Sequence, residues 1–248
     1  MYELYYYPTP NGMKVTILFE ELAVPYKIVT LNIGSGDQFS PNYLKIAPNN
    51  RMPALVDHAP KDGGAPISVF ESAAIMMYVA EKEGRYFPQN ARGKYAVVQW
   101  LMWQMANQGP KMGEQTHFRR AAKDPKNGDL AYATKRFDDE VHRLYGVMNL
   151  GLHKKSYLAG DDYSIADMCC YAWASTWAMR AIELEEFPNV KRWMDEVAAR
   201  PAVQKGMAVS PENLVNLSTL SEKELEELTR QAKPAANQRA RPVPTEWD

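Results

Sequence analysis

Cysteine is nearly absent from this 248-residue chain: there are two, Cys169 and Cys170, side by side. Adjacent Cα atoms lie about 3.8 Å apart, closer than an ordinary disulfide tolerates, so no disulfide framework exists. Neighbouring thiols without further ligand cysteines do not make a zinc site either. They read as two small apolar residues buried in a helix, and any thiol chemistry needs a sulfur from elsewhere. Excess charge is also missing. Against 30 acidic residues stand 29 basic ones, which gives no electrostatic reason to expect a nucleic-acid partner. No apolar run reaches membrane-spanning length, which argues against a membrane partner. The Met1-Tyr2-Glu3 start lacks a basic-then-apolar leader, so the expected compartment is the cytoplasm. His117 has no Asp or Ser context for a triad and reads as surface or structural. No metal, flavin or nicotinamide motif is present.

What the chain does have is apolar content, 46% of residues, enough for one large core or two small ones. Residues 2–7 are aromatic-rich and fit a strand. Val15, Leu18, Phe19 and Leu22 recur at helical spacing until Pro25. Tyr26–Leu31 reads as a second strand. Ser40-Pro41 opens a short helix through Ile46, with serine as cap and proline at the first helical position. Pro53–Val56 and Ile67–Phe70 are short apolar strands joined through the turn-rich K-D-G-G of residues 61–64. Ser72–Glu83 is helical again, giving the order β-α-β-α-β-β-α.

From about Arg92 to Met207 the pattern is almost wholly helical and rich in Trp, Met and Ala. Within it, Ser164 and Asp167 of S-I-A-D form a capping-box pair ahead of an apolar helix. The chain thus divides into an α/β module over 1–85, a helical module over 92–207, and an extension over 208–248. Composition alone suggests a flexible extension. It also holds a candidate helix, Ser221 to Gln231, and apolar Leu214, Leu217, Leu220 and Trp247, from which an ordered segment docked on the helical module or a partner subunit is expected.

Between the first strand and helix lies T-P-N-G, residues 9–12, a turn with no cysteine, serine or histidine. With N-N-R-M-P-A-L-V-D (49–57), F-E-S-A-A-I (70–75) and S-I-A-D (164–167), it resembles a cytosolic glutathione transferase over roughly residues 1–207. G-S-G-D-Q-F at 34–39 is most similar to the bacterial Nu class, the glutathione-dependent disulfide-bond oxidoreductases. The resemblance implies an α/β plus all-α fold: a thioredoxin-like N-terminal domain followed by an all-helical domain, in a homodimer. It implies glutathione as co-substrate, one or two per site, no metal, and a small disulfide as partner.

The residues carry that expectation physically. A first helix offers free N–H groups and a positive dipole end to a sulfur at its start. Thr9 can donate a hydroxyl hydrogen and Asn11 an amide hydrogen, and donors to the charged form lower a thiol pKa. Thiolate is the reactive form, so the turn would activate a borrowed nucleophile. By the resemblance, Met52-Pro53 is cis and pairs its backbone with the cysteinyl portion of glutathione. Glu71 receives the γ-glutamyl ammonium, and Ser72, at a helix N-terminus, receives its carboxylate. Gln38 and Arg51 are placed for the glycine carboxylate, with Asn50 a weaker candidate. Arg136 in A-T-K-R-F would reach the site of the neighbouring subunit. Tyr6 or Tyr7 could instead donate to the thiol, alternation putting them on opposite faces. Tyr7, Trp103, Asn107 and Lys111 are candidates for the wall of a second-substrate site. Thioether cleavage of glutathione adducts, and a glutathione-binding regulator with little turnover, are the alternatives.

Overall fold

The computed structural model of the protein describes residues 1–210, so nearly all of the extension beyond 208 lies outside the described residues. Two compact units divide the described chain. One comprises Met1–Gly12 and Pro25–Ile75 with Val209 and Ser210, the other Met13–Val24 and Met76–Ala208.

The first unit is built on a mixed four-stranded sheet, β1 (Tyr2–Tyr6), β2 (Tyr26–Thr30), β3 (Ala54–Asp57) and β4 (Ile67–Phe70), in the order β2-β1-β3-β4. β1 runs parallel to β2 and antiparallel to β3, and β3 antiparallel to β4. Helix α1 (Pro10–Leu22) leaves the end of β1, α2 (Pro41–Ile46) precedes β3, and α3 (Ser72–Glu83) follows β4. The element order is the one the sequence pattern predicts, with strand edges shifted by at most one residue. β3 starts at Ala54 because Pro53 has no N–H to give a ladder. β1 ends at Tyr6 because Thr9 N–H turns back onto the Tyr7 carbonyl at 2.8 Å. Tyr7 thus follows the strand, and Tyr6 and Tyr7 are both buried.

α2 is capped as expected: Ser40 Oγ accepts from Tyr43 N–H, with Pro41 at the first helical position. The β3–β4 connection turns at Gly63, whose φ of +70° a side chain would resist. Beneath the loop that leads into β3, Leu31, Tyr43, Ala47 and Ala54 form a small core, with Tyr5, Ile46 and Met52 packed against it.

The second unit is helical: most of α1 and α3, then α4 (Ala91–Trp103), a π-helical turn (Gln104–Gln108), α5 (Gly109–Ala121), α6 (Ala131–Gly151), α7 (Ile165–Ala174), α8 (Pro188–Ala198) and α9 (Pro201–Ala208). The Ser164–Asp167 capping box forms at the start of α7, nine of whose ten residues are buried, both cysteines among them. Burial pushes both thiols up from the usual range, which keeps them neutral and inert. The π turn was not legible in the sequence. Its i→i+5 bonding adds a residue to the turn and brings Gln104 and Gln108 fully inside. Gln104 Oε1 accepts from the ammonium of buried Lys14 at 2.6 Å and from the Cys169 thiol at 3.5 Å. Among the described residues no helix is long and apolar enough to cross a membrane.

Candidate active site at one edge of the sheet

Strand register assembles the candidate site. Tyr5 of β1 sits opposite Ala54 of β3, and Ala54 opposite Phe70 of β4. Paired strands lie about 4.8 Å apart, so the end of β1, the start of β3 and the end of β4 share one edge. From that edge emerge the Thr9–Gly12 turn, the Asn49–Pro53 loop and the Glu71-Ser72 corner. Three segments distant in sequence are thereby gathered without any one of them being long.

Each has its own local cause. Pro10 occupies the first position of α1, where a missing N–H costs nothing. Gly12 makes the tight entry feasible. A Cβ there would stand 2.6 Å from the Tyr7 carbonyl oxygen and 2.7 Å from the Tyr6 ring. Gly12→Ala is therefore expected to lower stability by about 1–3 kcal/mol through overpacking, read by chemical denaturation. A variant as stable as wild type would mean the turn is free to open.

In the second segment the Met52–Pro53 bond is cis. The loop is tied from below, where the Tyr43 hydroxyl donates to the Arg51 carbonyl at 2.6 Å. Asn50 sits at φ +46°, a left-handed conformation asparagine tolerates. The loop touches the turn directly: Thr9 Oγ1 donates to the Met52 sulfur at 3.3 Å. In the third segment Glu71 adopts φ +72°, strained for a residue with a long side chain, immediately before α3. Its carboxylate accepts from Asn49 Nδ2 at 3.2 Å, which ties the corner to the loop. Ser72, the first residue of α3, is buried.

The remaining sequence-predicted residues fall less tightly. Gln38 is half-buried, its amide nitrogen donates to the Ile33 carbonyl at 3.4 Å, and its oxygen is buried without a partner among the described residues. Arg51 is exposed on the loop. Tyr6 directs its hydroxyl to the Val209 carbonyl at 2.7 Å, and burial raises the Tyr7 hydroxyl above its usual range. Trp103, Asn107 and Lys111 are half-buried in the second unit, at the end of α4, in the π turn and in α5. The π turn interrupts regular helical spacing between Trp103 and Lys111. The Lys111 ammonium lies 5.9 Å from the centre of the Phe137 ring, and neighbouring Arg136 is exposed on α6. His117 is exposed, in line with its surface reading.

Two partners were missed by sequence reasoning. Asn49, which the sequence reading did not name, holds Glu71, and the Met52 side chain meets Thr9. The doubled asparagine in N-N-R was the available signal for the first. Nothing in the spacing announced the second.

A small mixed sheet with cis-proline, followed by a helical region, is a thioredoxin-like domain joined to an all-helical one, the architecture of glutathione transferases. The sequence pattern of the glutathione S-transferase N-terminal domain matches residues 1–81, and that of its C-terminal domain residues 118–201. The chain belongs to the glutathione transferase family. It is 42% identical to the disulfide-bond oxidoreductase YfcG of Escherichia coli over 207 residues, covering 84% of this chain and 94% of that protein. It is 36% identical to the disulfide-bond oxidoreductase YghU of the same organism over 225 residues, covering 85% and 75%. A solved glutathione transferase family member from Pseudomonas fluorescens, with two glutathione bound, superposes with a TM-score of 0.75. The two are 33% identical, over 84% of this chain and 93% of that one.

Proposed function

We propose that this protein is a glutathione-dependent disulfide-bond oxidoreductase of the Nu class. The observation that carries the reading is a sheet edge equipped to hold a sulfur, in a chain whose own described thiols are buried and neutral. Thr9 already donates its hydroxyl to a sulfur acceptor, the Met52 thioether. A glutathione thiolate is a far stronger acceptor and would take that hydrogen bond over, joined by the amide of Asn11 and the N-terminal end of α1.

Glutathione binding follows the three segments. The Met52-Pro53 backbone meets the cysteinyl portion, and Glu71 and Ser72 take the ammonium and carboxylate of the γ-glutamyl end. Arg51 supplies a cation for the glycine carboxylate, with Gln38 and Asn50 beside it. The bound thiolate attacks one sulfur of a small disulfide, a new S–S bond forms, and the other sulfur leaves as a thiolate that takes up a proton. A second glutathione thiolate attacks the mixed disulfide at the first glutathione's sulfur, releasing the second substrate thiol and oxidised glutathione. The names of YfcG and YghU and the two glutathione molecules on the Pseudomonas relative support this order of events. In a cytoplasmic homodimer Arg136 would reach the neighbouring site, and Tyr7, Trp103, Asn107 and Lys111 would line the second-substrate side.

The test is hydroxyethyl disulfide reduction by glutathione, run beside a panel of glutathione thioethers. The wild type is expected to reduce the disulfide and to turn over thioethers weakly or not at all. The double variant Cys169→Ala, Cys170→Ala is expected to keep its turnover, because its sulfurs lie inside α7. If that double variant loses disulfide reduction while its fold persists, the protein's own thiols carry the chemistry and the borrowed-sulfur reading falls.

A further inference from the structure

We infer that Met52 is an oxidation-sensitive modification site, whose conversion to the sulfoxide by a hydroperoxide diverts the Thr9 hydroxyl and silences the site. The inference rests on the functional reading above. Three observations lead to it. The Met52 sulfur is the acceptor of the Thr9 hydroxyl at 3.3 Å, so its chemistry and that of the turn are joined. Met52 is only half-buried on its loop, while Cys169 and Cys170 show no exposure, so peroxide meets a thioether at this edge rather than a thiol. Met52 packs against the Leu31, Tyr43, Ala47 and Ala54 core, which restrains its side chain beside the turn.

A thioether is a weak hydrogen-bond acceptor that a thiolate displaces with ease, whereas a sulfoxide oxygen is a strong one. The step balances simply. A sulfur lone pair attacks the terminal peroxide oxygen, the O–O bond breaks, the S–O bond forms, and the peroxide leaves as water or an alcohol. Sulfur is oxidised by two electrons and the peroxide reduced by two. The new oxygen then competes with glutathione for the Thr9 hydroxyl, and it places a polar group against an apolar core. Methionine sulfoxide reductases, one for each epimer, reverse the change.

The full-length protein is exposed to graded hydrogen peroxide, freed of oxidant, mapped by peptide mass spectrometry and assayed for hydroxyethyl disulfide reduction. Met102 and Met179, 49% and 58% exposed and outside the turn and loop, serve as internal comparisons. Activity is expected to fall roughly tenfold, the scale of losing one hydrogen bond to a thiolate. The loss should follow sulfoxide at Met52 rather than at Met102 or Met179, and sulfoxide reductase should restore the activity. Met52→Leu, a volume-conserving change, should retain most of its own untreated activity through the same exposure. Full oxidation of Met52 without loss of activity would overturn the inference, as would a Met52 that stays reduced while Met102 and Met179 oxidise. So would a loss in Met52→Leu equal to that of wild type. Untreated wild type without disulfide reduction would instead count against the functional reading, so the two failures are distinct.

Discussion

Replacing Asn11 with alanine, or Thr9 with valine, is expected to reduce glutathione-dependent disulfide reduction by roughly 10- to 100-fold at neutral pH. On the proposed reading each side chain would offer one hydrogen bond to a sulfur anion, and such bonds are worth about 1.5–3 kcal/mol, at 1.4 kcal/mol per decade. The effect has a pH signature that a folding defect would lack. Without a donor, the bound thiol should titrate closer to its ordinary value near 8.5, so less thiolate is present at neutral pH. The acid limb of the rate profile then moves upward, and the deficit narrows above about pH 9, where the thiolate forms unaided. Thr9→Ser keeps the hydroxyl and should keep most of the rate, while Thr9→Val keeps the shape and should not. Thiolate absorbance of glutathione bound to each variant reads the shift directly. Variants that titrate and turn over like wild type would remove the turn from the mechanism.

That expectation could be written from sequence because turn chemistry is local. Thr9, Pro10, Asn11 and Gly12 are contiguous, and proline at a helix start carries its own physical meaning. The strands and helices were legible for the same reason, since periodicity over five to twenty residues reports which face is buried. The exceptions share a cause. The Thr9–Met52 and Asn49–Glu71 contacts join residues 43 and 22 positions apart, and no periodicity encodes a pairing set by strand register. Glu71 at φ +72° contradicts its own backbone preference, so propensity could only mislead there. Lys14 lies beside Val15 and four residues before Leu18, on the face the helix buries, and its ammonium finds a partner in the distant Gln104 of the π turn, a pairing no local pattern announces. Resemblance filled part of this gap: it brought the loop and the Glu71-Ser72 corner to one site before register explained how.

Asp167 shows how far a local motif can extend into the fold. The sequence revealed a cap, yet its carboxylate accepts four hydrogen bonds. Leu158 N–H donates at 2.9 Å, Ser164 N–H at 3.0 Å, the Ser164 hydroxyl at 3.2 Å and the Trp193 indole N–H at 3.0 Å. Asp167 has no exposure, and Trp193 is also wholly buried. Asp167→Ala leaves these donors facing a cavity, and each orphaned buried donor costs about 1–3 kcal/mol. Relaxation recovers part of that, so a net loss of about 3–5 kcal/mol is expected, enough to threaten folding altogether. Burial nonetheless outweighs the four donors and raises the carboxyl from 3.8 to about 6. The folded state therefore holds this proton more tightly than the unfolded chain. Its stabilising contribution is complete below about pH 4 and is lost as pH rises through about 6. Denaturation midpoints of wild type should decline across that window relative to Asp167→Asn, which cannot titrate. Equal pH dependence in the two would show that the capping carboxylate stays charged throughout, held by its donors against the cost of burial.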